Sequence, residues 1–135
     1  VSIIIPHWNG IAILSECIDS LLKTNYGSYE IIISDNASSD GSQDWVKSNH
    51  PNVRLLENDQ NYGYAGGCNR GAKIAKGDYI GWCHADLQTE PSDVYNAFLD
   101  NKNKLATGKY VIKGLRKNRN IFERLVSRDK KKGVS

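Results

Sequence analysis

The stretch Asp78-Tyr79-Ile80-Gly81-Trp82-Cys83-His84-Ala85-Asp86-Leu87-Gln88-Thr89-Glu90-Pro91 decides the fold class. Its first half is apolar and is expected to form a strand buried on both faces. Its second half turns polar at Asp86, and Pro91, Ser92 and Asp93 then supply the residues with which helices start. An aspartate at the carboxyl end of a buried strand, where the chain turns toward a helix, is where α/β proteins carry ligand and metal groups.

Upstream, strand and helix patterns alternate. Val1 to Ile5 is rich in β-branched residues and is expected to be a short buried strand ended by Pro6. The turn His7-Trp8-Asn9-Gly10 follows. Ile11, Leu14, Cys17, Ile18, Leu21 and Leu22 then recur at helical spacing, which predicts an amphipathic helix ending near Asn25 to Gly27. A second strand is predicted over Glu30 to Ser34, a short helix over Ser42 to Ser48 with Trp45 and Val46 inward, and a third strand over Val53 to Glu57. A helix of small residues over Tyr64 to Lys76, closed by Gly77, precedes the opening stretch. After it the pattern predicts a helix from Ser92 to Asn101, a fifth strand over Lys109 to Lys113 and a basic helical segment around Ile121 to Val126.

Such alternation implies an α/β fold, Rossmann-like, with a mostly parallel sheet covered by helices on both faces. The loops after the strands then collect along one edge. That edge gathers Pro6 to Asn9, Asp35 to Ser38, Asn58 to Gly63 and His84 to Asp86, so these four loops are expected to form one site.

The 135 residues suffice for one domain with a single modest core. Lys and Arg number 18 against 15 Asp and Glu, too small an excess to imply nucleic acid by itself. The excess is concentrated in the last part of the chain, where ten basic residues from Lys109 to Lys132 face only Glu123 and Asp129. Such a run is ordinarily a solvated face; its sharper reading is a site for phosphate or an anionic membrane surface. Cys17, Cys68 and Cys83 are odd in number and widely spaced, which argues against a disulfide framework or a zinc site and fits a reducing cytoplasm. No signal peptide and no apolar run long enough for a bilayer is present in the sequence. The chain begins at Val1 inside a strand, so a longer parent is expected.

The loops carry specific chemistry. An ionised Asp35 can accept the ring N–H of a pyrimidine or the hydroxyls of a ribose. Spacing alone leaves it equally a helix cap, although Asp40 is the better cap for the helix starting near Ser42. Asp86 suits a hard divalent cation, with diphosphate and water completing the shell. His84, two residues away, is a borderline ligand or an ordinary hydrogen-bonded histidine. The glycines at 63, 66, 67 and 71 match neither GxGxxG nor GxxxxGK[ST], and close packing of their helix on the sheet is favoured over direct phosphate contact.

In order and spacing, four segments resemble the inverting family 2 glycosyltransferases, which have the GT-A nucleotide-diphospho-sugar transferase fold. They are Val1-Ser-Ile-Ile-Ile-Pro-His-Trp-Asn-Gly10, Glu30-Ile-Ile-Ile-Ser-Asp-Asn-Ala-Ser-Ser-Asp-Gly-Ser42, Asn61-Tyr-Gly-Tyr-Ala-Gly-Gly-Cys-Asn-Arg-Gly71, and Ala75-Lys-Gly-Asp-Tyr-Ile80 leading to His84-Ala-Asp86. The resemblance runs from Val1 to about Pro91. It implies that Pro6, His7 and Asn9 wall a nucleoside pocket, that Asp35 contacts the base, and that Asn61, Gly63 and Asn69 shape the nucleotide side of the cleft. Asp86 matches the last carboxylate of the family's DxD, which holds Mg²⁺ or Mn²⁺ on the sugar diphosphate. His84 stands where the first aspartate usually is, and is retained as a candidate metal ligand.

The two halves resemble different branches. The His-Trp-Asn-Gly and Asp-Asn-Ala-Ser segments are similar to rhamnosyltransferase-type members that extend surface polysaccharides. Ala85-Asp-Leu-Gln-Thr-Glu-Pro91 with Ile112-Lys-Gly-Leu-Arg-Lys-Asn-Arg119 is similar to polyprenyl-phosphate, dolichol-phosphate-mannose-synthase-like members. Transfer to a sugar hydroxyl needs a general base, and beyond Lys109 only Glu123 and Asp129 are available, neither in a base motif. A lipid phosphate is already ionised near neutral pH and attacks without one, held by Arg116 and Arg119. Loss of the acceptor half explains the missing base equally well. The implied division is a nucleotide-sugar-binding domain over 1–115 and a basic acceptor- or membrane-side segment over 116–135. The implied partners are a nucleotide-diphospho-sugar and a lipid-phosphate or saccharide acceptor, with no nucleic acid. The implied location is the cytoplasm, at the inner face of the membrane. The alternative is a catalytically incomplete nucleotide-sugar-binding domain.

Overall fold

A computed structural model describes residues 1–23, 27–85, 91 and 93–108. The elements are β1 (Ser2–His7), α1 (Ile11–Leu22), β2 (Glu30–Asp35), α2 (Ser42–Asn49), β3 (Arg54–Glu57), α3 (Gly63–Ile74), β4 (Ile80–Trp82) and α4 (Asp93–Leu105). The strands form a parallel sheet of order β3-β2-β1-β4. The chain divides into two compact units, Val1–Val94 and Tyr95–Ser135; the sheet belongs entirely to the first. The expected fifth strand over Lys109 to Lys113, the helix over Ile121 to Val126, and Asp86, Arg116 and Arg119 lie outside the described residues.

The apolar runs dictate which strands are central. Ile3, Ile4 and Ile5 of β1 and Ile32 and Ile33 of β2 are at most 1% exposed. Leu14, Cys17, Ile18 and Leu21 form the buried stripe of α1, as their spacing predicts. On one face of the sheet α3 lies against β1. A Cβ at Gly71 would stand 2.5 Å from Ile4 Cγ2, and one at Gly67 would stand 2.9 Å from Pro6 Cβ. The glycines therefore serve close packing, the reading favoured from the sequence. On the other face, Gly81 lies under Val94 and Ile3.

Several boundaries differ from expectation. Pro6 does not end β1, which continues to His7 opposite Asp35. The reason is which side of the strand its nitrogen faces. Ser2 N–H donates to the Tyr79 carbonyl, the Cys83 N–H donates to the Ile4 carbonyl, and on the other side the Asn36 N–H donates to the His7 carbonyl. Even residues of β1 thus bond toward β4 and odd residues toward β2. The last β1–β4 pair is Ile4 with Trp82. Pro6, with no N–H, therefore falls where β4 has already parted from β1. The expectation that β4 is buried on both faces is also corrected. Among the described residues it is an edge strand, with Ile80 43% and Trp82 52% exposed. Gly77 does not close α3, which ends at Ile74 with Ala75 extended. Instead Gly77 is pressed against β1, where a Cβ would meet the Ser2 backbone nitrogen at 2.7 Å.

The amino-terminal edge of the sheet is fastened by Glu30. Its carboxylate accepts from Ser2 Oγ and the Lys76 N–H, each at 2.6 Å, and from Arg54 Nη1 at 2.9 Å. Arg54 also donates to the Ile74 carbonyl at the end of α3. Burial pushes the Glu30 carboxyl up, but these donors outweigh it and hold it at about 2, ionised at neutral pH.

Candidate active site at the carboxyl edge of the sheet

Because β2 and β4 flank β1 on opposite sides, the topological switch point lies between β1 and β4. The loops after β1 and β2 are bound to one another there. Asn9 donates its N–H to Ser38 Oγ and accepts the Ser39 N–H on Oδ1, both at 2.8 Å. The Gly10 N–H donates to Asp40 Oδ2 at 2.6 Å. Backbone strain accompanies this clamp: Asn9 (φ 52°) and Ala37 (φ 60°) are both left-handed, a cost that surrounding contacts must offset.

Asp35 is 1% exposed and organises its own loop. Oδ1 accepts from Ser38 Oγ at 2.6 Å, and Oδ2 accepts from the Ser38 N–H at 2.9 Å and Gln43 Nε2 at 2.6 Å. These bonds are neither of the two roles the sequence left open, a ligand contact or a cap on α2; they order the loop itself. Asp40 lies one residue before the N-cap of α2, which is Gly41 and not Asp40 as expected, yet it still holds the start of the helix by accepting from both the N–H and the hydroxyl of Ser42. Burial raises its carboxyl, but the Ser42 and Gly10 donors outweigh that and hold it at about 2.

His7 is buried, with Nε2 3.0 Å from Ser42 Oγ. The Ser42 hydroxyl proton goes to Asp40, so Nε2 is the donor in this pair. Burial pushes His7 below the ordinary histidine value despite the carboxylates of Asp35 and Asp40, which keeps the ring neutral at pH 7. His7 thus supports the loop from beneath.

A second set of amides joins β2, β3 and α3. Asn36 Nδ2 donates to the Gly63 carbonyl at 3.0 Å, and Asn36 Oδ1 accepts from Asn58 Nδ2 at 3.1 Å. Asn58 also donates to Ser34 Oγ and accepts from Arg70 Nε. Asn61 Oδ1 accepts the Gly63 N–H at 2.9 Å, and Gly63 itself is left-handed (φ 72°). Asn69 is on the exposed surface of α3. At the end of β4 the His84 ring stacks on Tyr64, with centroids 3.8 Å apart and planes within 9°.

The structure therefore brings Pro6, His7, Asn9, Asp35, Asn61, Gly63 and His84 to one edge, as the topology predicts. Trp8, Asn36, Asn58 and Gln43 were not singled out from the sequence. Trp8 is 57% exposed on the clamped β1 loop. The signal for it was present: an indole in a turn between Pro6 and Asn9-Gly10, outside any helical or strand period. The two buried amides follow strand ends, where only tertiary structure distinguishes a network from a turn.

For a divalent cation the described residues do not fit. No group of three His, Cys, Asp or Glu side chains converges among them. His84 is a nitrogen donor, whereas Mg²⁺ and Mn²⁺ favour oxygen. Cys17, Cys68 and Cys83 are free thiols. No described helix is long and apolar enough to cross a membrane.

The sequence profile of glycosyl transferase family 2 matches residues 2–131. The chain is 35% identical over 124 residues to the poly(ribitol-phosphate) beta-glucosyltransferase of Bacillus spizizenii, covering 85% of this chain and 19% of that protein. It is 34% identical over 87 residues to the UDP-Glc:alpha-D-GlcNAc-diphosphoundecaprenol beta-1,3-glucosyltransferase WfgD of Escherichia coli, covering 64% of this chain and 34% of the relative. Among solved structures, the mannosyltransferase PcManGT from Pyrobaculum calidifontis, in complex with GDP-Man and Mn²⁺, superposes with a TM-score of 0.62 at 26% identity, covering 71% of this chain and 30% of that one. The chain thus spans about a fifth to a third of the length of these relatives. A profile match over nearly all the residues, on a parallel sheet shared with a sugar-nucleotide transferase, shows that the chain belongs to glycosyl transferase family 2 and has the GT-A fold.

Proposed function

We propose that the chain is the donor-binding part of an inverting glycosyltransferase. A nucleotide-diphospho-sugar lies across the carboxyl edge, its nucleoside toward Trp8, Asn9 and the Asp35 loop and its diphosphate toward Asn61, Gly63, Asn69 and His84 to Asp86. The observation that carries this reading is the clamp of Asn9 and Gly10 onto Ser38, Ser39 and Asp40, which ties down the backbone next to the exposed Trp8 at the carboxyl end of β1. An exposed indole on an ordered loop is a ready face for a planar base. Pro6 and His7 form the floor beneath it, and Asp35 keeps the loop in shape.

The relatives' names support a nucleotide donor: UDP-Glc for the Escherichia coli enzyme and GDP-Man for the Pyrobaculum enzyme. The acceptor is proposed to be a polyprenyl phosphate or a glycan, with Arg116 and Arg119 facing it. An ionised phosphate oxygen held by these guanidiniums attacks C1 from the face opposite the departing diphosphate, which inverts the anomeric centre. Mg²⁺ or Mn²⁺ is the proposed cofactor, supported by the Mn²⁺ of the Pyrobaculum complex, with Asp86 its ligand and His84 beside it. When bound, such a cation neutralises charge on the leaving diphosphate. The donor-binding part is proposed to cover residues 1–115. The basic segment 116–135 would meet the acceptor at the cytoplasmic face of the membrane. The second reading is a nucleotide-sugar-binding domain without turnover of its own, in which donor binding is kept and no sugar is transferred.

Trp8→Ala is expected to weaken binding of UDP or GDP by about tenfold or more, since stacking of one base contributes roughly 1–3 kcal/mol. Its thermal midpoint is expected to stay near that of the unsubstituted chain, because the side chain is exposed. Leu22→Ala, equally exposed at the end of α1, is the control. Calorimetric titration in the presence of Mn²⁺ checks this; equal affinity for Trp8→Ala and the parent chain refutes the stacking role.

A further inference from the structure

Resting on that reading, we infer that Gln43 is a positioning residue for the nucleoside end, acting from α2 through Asp35 and Ser38 on the loop that presents Trp8. The buried Asp35 carboxylate has two donors from Ser38, a residue of the same loop, and one from Gln43 on the first turn of α2. The carboxylate torsion of an aspartate is broad, and the Ser38 donors move with the loop they stabilise. Gln43 is thus the partner that ties the carboxylate to a separate, regular element. Ser38 Oγ carries the constraint onward: it donates to Asp35 Oδ1 and accepts the Asn9 N–H. Asn9 is left-handed and adjoins Trp8. The relay runs from Gln43 to Asp35 to Ser38 to Asn9, and its last member fixes the backbone that carries Trp8.

None of these side chains needs to touch the nucleotide for Gln43 to affect its binding. A donor to an ionised group is stronger than a neutral one, and its loss leaves the buried acceptor short of a partner. Gln43→Leu keeps size and helix propensity but removes the donor.

The test titrates UDP, GDP and inorganic pyrophosphate, each with Mn²⁺, into the 135-residue chain, Gln43→Leu, Trp8→Ala and the double variant. The expected result is a roughly tenfold loss of nucleotide affinity in Gln43→Leu with pyrophosphate binding unchanged. In the Trp8→Ala background the same substitution is expected to cost less than about twofold, because the group being positioned is gone. A purely structural role predicts equal losses for nucleotide and pyrophosphate and the same factor in both backgrounds, and that result overturns the inference. Amide hydrogen exchange reads the relay without any ligand. Gln43→Leu is expected to speed exchange at the Ser38 and Asn9 N–H groups, and unchanged rates there also overturn it. If the parent chain binds neither nucleotide while exchange responds as expected, the relay stands and the donor-binding reading falls.

Discussion

Gly71→Val is expected to destabilise the protein by about 2–3 kcal/mol, a loss of roughly 10 °C in thermal midpoint for a domain of this size. A Cβ at Gly71 stands 2.5 Å from Ile4 Cγ2. Ile4 is 1% exposed in the central strand, and its γ-methyl is anchored on a branched Cβ, so it cannot swing away. Valine adds two further methyls to the clash. The helix propensity gained by replacing glycine returns only about half a kcal/mol. Ala65→Val on the exposed side of the same helix is the control and is expected to cost no more than about 0.7 kcal/mol. Pairing Gly71→Ala with Ile4→Ala should cost less than the sum of the two single changes, since one makes room for the other. Thermal and denaturant unfolding of these variants checks the packing of α3 on β1; a Gly71→Val protein within about 0.5 kcal/mol of the parent contradicts it.

Asp35→Ala is expected to have the second large effect, on both stability and ligand binding. It removes one acceptor group from three donors, leaving the Ser38 N–H, the Ser38 hydroxyl and the Gln43 amide without their partner at a buried site. Charge-assisted hydrogen bonds contribute about 1.5–3 kcal/mol each, but they share one carboxylate and are not additive, so a total of about 3 kcal/mol is expected. Nucleotide affinity is expected to fall by about tenfold or more, as in Trp8→Ala, because Ser38 then no longer fixes Asn9 and Trp8. Asp35→Asn keeps the shape and one acceptor oxygen and is expected to lie between alanine and the parent. Denaturant unfolding and nucleotide titration of the three proteins check this. Unchanged stability in Asp35→Ala shows that the buried carboxylate does not order the loop.

Much of this was legible in the residues. The isoleucine runs of β1 and β2, uninterrupted by polar residues, read as buried strands, and the structure buries them as the two inner strands of the parallel sheet. The α1 stripe follows helical spacing through Leu14, Cys17, Ile18 and Leu21, whereas Ile11 and Leu22, at the two ends of the helix, are not buried. The common edge of the loops after β1, β2, β3 and β4 follows from parallel topology, and the hydrogen bonds from Asn9 to Ser38 and from Asn36 to Gly63 bear it out.

What failed did so for identifiable reasons. The composition of β4 suits a strand buried on both faces, but burial depends on what lies beside a strand, and Ile80 and Trp82 carry no information about that. Pro6 suggested an end to β1 because the rule against proline in a sheet ignores which side of the strand its nitrogen faces. Asp35 was balanced between a ligand contact and a helix cap, and its role in ordering the loop was not seen, because its partner Gln43 lies eight residues on, in a different element. Trp8 was overlooked since an aromatic residue in a turn has no period to mark it.

The most direct test is a crystal structure of the chain soaked with UDP or GDP and Mn²⁺. The account predicts the nucleotide along the carboxyl edge of the sheet, its base against Trp8 and its diphosphate between the Gly63 end of α3 and residues 84–86. A nucleotide bound at the Glu30–Arg54 edge, or on any surface where Trp8 and the Asn9–Ser38 clamp make no contact with it, contradicts the account.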